Sequence, residues 1–203
     1  MGASTTKNMV VDARDAEFQK VNLLDAKVGS EFLHAKDWNL VGSDFGVALA
    51  AVGGGDNFAW TMWAGGNTDD AVDYLWAVPC DLDRGQPIYF QVYFTNSATA
   101  DETATWTITT NPLAPALDAA TSDAFDVAPA TALGTTIPAC TAMVDSTTAD
   151  VDLVTKSYVG AIAAGGIDDD EEFVGLRVTL ASSADAADWG FLGLRILYSR
   201  LVS

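Results

Sequence analysis

From Trp38 onward, apolar and polar positions alternate in short blocks. In IYFQVYF (88–94), Ile88, Phe90, Val92 and Phe94 share one side, and Tyr89, Gln91 and Tyr93 the other. TATWTIT (103–109) turns Ala104, Trp106 and Ile108 one way and four threonines the other. FVGLRVTLA (173–181) groups Val174, Leu176, Val178 and Leu180. FGVALA (45–50), FAWTMW (58–63), AVDYLWAV (71–78), VTKSYVGAIA (154–163) and WGFLGLRILYS (189–199) complete a set of about eight strands. Side chains alternate across a strand, so a period of two marks a sheet with one buried face.

Turn-rich pieces separate these blocks: GGG, AGGNTDD, DLDRGQP, NSATADE and AAGGIDDDEE. Few segments have helical period and length, which argues against βαβ architecture. The expected fold is all-β: a single antiparallel β-sandwich of jelly-roll type with an N-terminal arm. An immunoglobulin-like sandwich is the near alternative.

Residues 1–36 read differently. Lys7, Arg14, Lys20, Lys27 and Lys36 supply half of the ten basic residues. Phe18, Val21 and Val28 approach helical spacing, but Asp25 interrupts the stripe. This segment is expected to be an arm, packed on its own domain or docked on a neighbouring subunit. Residues 37–203 are expected to form the sandwich. A long Ala/Thr/Pro/Asp-rich insertion near 111–150 is predicted to be a loop, with room for a short helix around LDAATSDAF or an edge strand.

The 203 residues suit one large domain, and 49% apolar content can fill a core. The formal charge of −18 changes the picture of partners. Phosphate contacts require clustered Lys and Arg, so nucleic acid and anionic membranes are disfavoured as direct ligands. A basic partner surface would be complementary. The N-terminus has no apolar secretory run, MGAST matches a myristoylation start without polybasic support, and FGVALAAVGGG is too short to span a bilayer. Synthesis and folding in a cytosol are expected. Cys80 and Cys140 form either one bridge or two buried thiols, and cysteine usage in reducing compartments favours the thiols.

Candidate chemistry is sparse. His34 is the single histidine, and no GxSxG presents a serine beside it. Zinc-ligand spacing is absent, so neither metal nor cofactor is expected. The run Asp168, Asp169, Asp170, Glu171 and Glu172 reads as a solvated turn, with an ion or basic-partner contact as the sharper option. PCDLDRGQP (79–87) reads as a corner between strands of one meander, closed by Pro79 and Pro87. Trp60, Trp106 and Trp189 read as core. Trp63 and Trp76 end or interrupt apolar runs and are expected at a ligand or subunit surface. With them, Phe18, Val21, Leu23, Leu24 and Phe32 form the expected interface set.

Three stretches carry a resemblance: LWAVPCDLDRGQPIYFQVYFT (75–95), ATWTIT (104–109), and the late pair DDDEEFVGLRVTL and WGFLGLRILYS. Together they resemble virion structural proteins of tailed bacteriophages, many from marine genomes, over residues 38–203. The resemblance implies a β-sandwich or jelly roll on the head or tail, a structural role, and no catalytic residues. A capsid decoration or cement protein, homo-oligomeric in the manner of trimers at local symmetry axes and bound to the major capsid protein, is the first expectation. Its location would be the capsid surface of the virion, after synthesis in the host cytoplasm. Another virion component, from the tail, the fibre base or a single-jelly-roll capsid, is second. A carbohydrate-binding or host-adhesion module is third, and an enzyme is last.

Overall fold

The computed structural model describes residues 27–41, 60–62, 71–96, 102–114, 133–142, 154–183 and 189–201. They form two antiparallel sheets. The strands are β1 (Lys27–His34), β2 (Asn39–Val41), β3 (Trp60–Met62), β4 (Ala71–Ala77), β5 (Pro87–Asn96) and β6 (Glu102–Leu113), followed by β7 (Leu133–Ala142), β8 (Thr155–Lys156), β9 (Gly160–Ala163), β10 (Phe173–Ser183) and β11 (Trp189–Arg200).

The first sheet runs β1-β11-β5-β8, with β3 also paired to β11 and β9 to β5. The second runs β2-β4-β10-β6-β7. The chain therefore visits the sheets in alternation: β1 first sheet, β4 second, β5 first, β6 and β7 second, β8 and β9 first, β10 second, β11 first. The first and last long strands are neighbours. This is the interleaved double Greek key of a jelly roll, as the alternation and turn spacing predict.

The inner faces hold the core. Ile88, Phe90, Val92 and Phe94 of β5 meet Ala104, Trp106 and Ile108 of β6 and Val174, Leu176, Val178 and Leu180 of β10, all buried in one cluster. Thr103, Thr105, Thr107 and Thr109 face outward, half-buried. A one-residue slip would exchange these sets, so burial pins the register. Trp106 packs on Phe94 at 5.1 Å between ring centroids, and Trp38 meets Phe191 edge-on at 5.2 Å.

Four expectations change. Residues 27–36, expected in the arm, are β1 and a 3-10 turn (Ala35–Asp37) of the sandwich itself. The inward positions of β1 are Gly29, Glu31 and Leu33, a set with no apolar alternation. The segment 111–150 is not one loop: β6 continues to Leu113, and the edge strand expected as one option for it is β7, Leu133–Ala142. Its register with β6 shifts between Ala104 and Trp106, so its buried Ile137 and Cys140 lie three apart and hide the period of two. Exposed Pro138 suits that edge, where a missing N–H costs no ladder bond. The knot at 79–87 links β4 of the second sheet to β5 of the first, so it joins sheets and not strands of one meander. The Cys80 thiol is exposed and that of Cys140 buried, and no disulfide joins them, which corrects the pair of buried thiols at Cys80. FGVALA and LDAATSDAF lie outside the described residues.

Candidate functional site

Several charged side chains of the described residues hold the fold together. In the corner, Asp83 and Leu82 take backbone roles: Asp83 N–H donates to the Ser199 carbonyl at 2.9 Å, and Leu82, fully buried, bridges to Arg200. Arg200 pairs with Asp81, and the carboxylate raises the guanidinium pKa. Asp83 Oδ1 accepts from Gly85 N–H at 3.0 Å, closing the turn. Arg84 Nε donates to the Ile167 carbonyl at 2.8 Å and its Nη1 lies 3.4 Å from Asp169. The acidic run is thus fixed at its start to the corner. Glu171 accepts from the Asp168 N–H, and the side chains of Asp168, Asp170 and Glu172 remain exposed.

On the outer face of the second sheet, Arg177 makes a two-pronged contact with Asp73, both at 2.7 Å. These hydrogen bonds to Asp73 raise the Arg177 pKa against the lowering effect of burial.

Glu31 occupies an inward place on β1. Its Oε2 accepts from Trp76 Nε1–H at 2.9 Å, and its Oε1 accepts from the Tyr198 hydroxyl at 3.1 Å. Trp76 belongs to the second sheet and Tyr198 to the first, so one carboxylate ties the edge strand to both. Burial first, then the Glu31 charge and hydrogen bond, push the Tyr198 pKa up to about 12. Gly29 makes room for the Tyr198 ring, since a Cβ there would lie 2.2 Å from ring carbon Cζ.

The outer face of the first sheet is of a different kind. Strand register sets three rows side by side: His34, Gly193 and Tyr93; Phe32, Arg195 and Gln91; Ser30, Leu197 and Tyr89. Gly193 lies at φ 154°, and a Cβ on it would come within 2.9 Å of the Phe32 ring. The Phe32 ring fills that place, edge-on to His34 at 4.9 Å and to Tyr93 at 5.2 Å. Phe32 is 39% exposed. Gln91 is buried: its Nε2 donates to the Ser157 carbonyl at 2.9 Å, while Ser157 Oγ accepts from Val92 N–H. Those bonds bridge the bulge between β8 and β9, where three residues face two of β5. Arg195 is half-buried. Among the described residues its side chain donates one hydrogen bond, to Ser30 Oγ at 3.4 Å, and pairs with no carboxylate.

The expected interface residues part ways. Phe32 lies on this outer face. Trp76 does not: it is 1% exposed and its indole is bound to Glu31, which corrects the expectation of a surface tryptophan. Phe18, Val21, Leu23, Leu24 and Trp63 lie outside the described residues. His34 is exposed and meets Phe32 edge-on, with no nucleophile or carboxylate partnered to it among the described residues. Sequence reading missed Arg195, Tyr93 and Glu31. The visible signal for Arg195 was an arginine inside the otherwise apolar block WGFLGLRILYS, at an outward position.

Among the described residues no three His, Cys, Asp or Glu side chains gather as a metal site, and no helix is long and apolar enough to cross a membrane. No family model matches the chain, and no curated protein matches it. Among solved structures, the chain is similar to the Clostridium thermocellum N-terminal endo-1,4-beta-D-xylanase 10B, CBM22-1–GH10 modules complexed with xylohexaose. Identity is 15% and the TM-score 0.41, over 89% of this chain and 29% of that one. The chain thus spans less than a third of that protein's length, and the likeness adds nothing to what the strand order shows.

Proposed function

We propose that this chain is a non-enzymatic structural protein of a tailed-bacteriophage virion, a decoration or cement subunit that binds the outside of the head shell as a homo-oligomer. One observation carries the reading. The ion pairs Asp73–Arg177, Asp81–Arg200 and Arg84–Asp169 knit the jelly roll itself, while one sheet face presents rings and an arginine that pairs with no carboxylate among the described residues. Such a molecule is built to assemble, through this face with other copies or with a shell, since aromatic residues and arginine concentrate at the centres of protein interfaces. The resemblance in strands β4–β6, β10 and β11 supports the virion setting. A position elsewhere on the virion, as a tail or fibre-base protein or a single-jelly-roll capsid subunit, fits the same surface.

The test is reconstitution. Purified full-length protein is added to shells that lack it, and binding and shell melting temperature are measured. Saturable binding with a raised shell melting temperature is the expected result. Absence of binding to every shell of the source phage removes the decoration reading.

The exposed Phe32 beside Tyr93 favours a second reading, a carbohydrate-binding or host-adhesion module. Rings on a sheet face can stack on sugars, and here Phe32 and Tyr93 take the place that Trp63 and Trp76 were expected to fill. Glycan binding lost on Phe32→Ala and Tyr93→Ala, without loss of fold, would support it over shell binding.

A further inference from the structure

The outer face of the first sheet departs from the rest of the molecule in charge. The chain has 28 acidic residues against 10 basic. Yet the paired rows of this face hold no Asp or Glu among the described residues, and they carry Arg195, Lys156 and His34 with Phe32, Tyr89 and Tyr93. Lys156 lies opposite Tyr93, one strand beyond it. The second sheet's outer face, by contrast, balances its Arg177 with Asp73.

The same chain carries the complement elsewhere. The turn between β9 and β10 presents Asp168, Asp170 and Glu172, exposed and with no ion-pair partner among the described residues. Within one copy the two features cannot meet. Pro87 pairs with Ala163 just before the turn, and Gln91, in the Arg195 row, lies four residues further along β5, about 13 Å at strand rise. From there the turn leads away to Phe173 in the second sheet.

We propose that this face is a self-association surface whose occupant is the acidic turn 168–172 of a second copy. Arg195 meets the carboxylates, and Phe32 and Tyr93 cover the contact from water. The contact joins two different surfaces, so it is head-to-tail, and a rotation that closes it yields a ring. An aromatic rim lowers the local dielectric around the ion pair and strengthens it relative to a bare surface pair. The free copies repel at −18, so association depends on this local match of opposite charge against that background.

The experiment is sedimentation equilibrium of the full chain, with thermal melting of each variant as a control for folding. Wild type is expected to self-associate at about 0.15 M salt, where repulsion between copies is screened beyond ~8 Å, and to dissociate at about 1 M salt, where screening reaches ~3 Å and weakens the ion pair itself. Arg195→Glu, and separately Asp168→Arg with Asp170→Arg, should each weaken association about tenfold or more with unchanged melting. Combining all three substitutions restores opposite charges and should restore association. A monomeric wild type overturns the proposal, as does an oligomer unmoved by Arg195→Glu, or a combined variant that stays dissociated. Shell binding is measured on the same samples. A monomer that still binds shells overturns this contact and the homo-oligomer, and leaves shell binding standing. An oligomer with the expected charge dependence and no shell binding does the reverse.

Discussion

Glu31 shows what one residue does in this fold. A carboxylate on the inward face of an edge strand loses water and must be repaid by hydrogen bonds, here from Trp76 Nε1–H and the Tyr198 hydroxyl. Removing the acceptor leaves a buried indole N–H unpaired. Glu31→Ala is expected to destabilise the protein by about 2–3 kcal/mol, and Trp76→Phe by about 1–2 kcal/mol, in urea unfolding. In a double-mutant cycle the two changes should be non-additive. Tyr198 adds an alkaline limb. Its folded pKa of about 12 lies above the ordinary value of 10.0, so the folded state holds the phenolic proton more tightly. That contribution is complete below pH 10 and is lost as pH rises toward 12, on the order of 2 kcal/mol in all. Unfolding curves between pH 9 and 12 should show the loss, and Tyr198→Phe should flatten it. The thiols separate by burial: Cys80 should react with a thiol reagent in the native state, and Cys140, whose Sγ donates to the Lys156 carbonyl at 3.5 Å, only on unfolding.

At the scale of elements, β1 depends on close approach of its neighbour's backbone. Gly193 on β11 sits at φ 154°, and a Cβ there would lie 2.4 Å from the Leu33 carbonyl oxygen of β1. That oxygen belongs to a paired strand and cannot move without breaking the ladder. Gly193→Ala is therefore expected to cost roughly 2–3 kcal/mol and to raise hydrogen exchange selectively in the β1 amides, with β6 and β10 unchanged. An equal rise in all strands would show that β1 is not the weak unit. The β8–β9 bulge works in the opposite sense. Ser157 Oγ accepts the Val92 N–H that the extra residue leaves unpaired, and Gln91 closes the gap from beneath. The edge is thus sealed by side chains where the ladder is interrupted.

Across the whole molecule, the sandwich and its surfaces were legible to different degrees. Strands β5, β6 and β10 were plain in the sequence because each has one fully buried face, which forces the period of two. β1 and β7 were hidden for physical reasons. β1 fills its inward places with Gly29 and Glu31, one to admit the Tyr198 ring and one to bind across sheets, so no apolar rhythm marks it. In β7 the register shift displaces its buried pair. Trp76 looked like a surface ring because it interrupts an apolar run, and only its partner 45 residues away explains its burial. Local pattern along the chain thus determined the all-β class, the core strands, the acidic character and the turn chemistry of 79–87, because these follow from side-chain periodicity and composition. Only the tertiary structure decided that Phe32, Arg195 and Tyr93 share one face, whose paired rows hold no carboxylate among the described residues. They come from three strands joined by register across more than 160 positions of chain, and no local rule carries contacts of that separation.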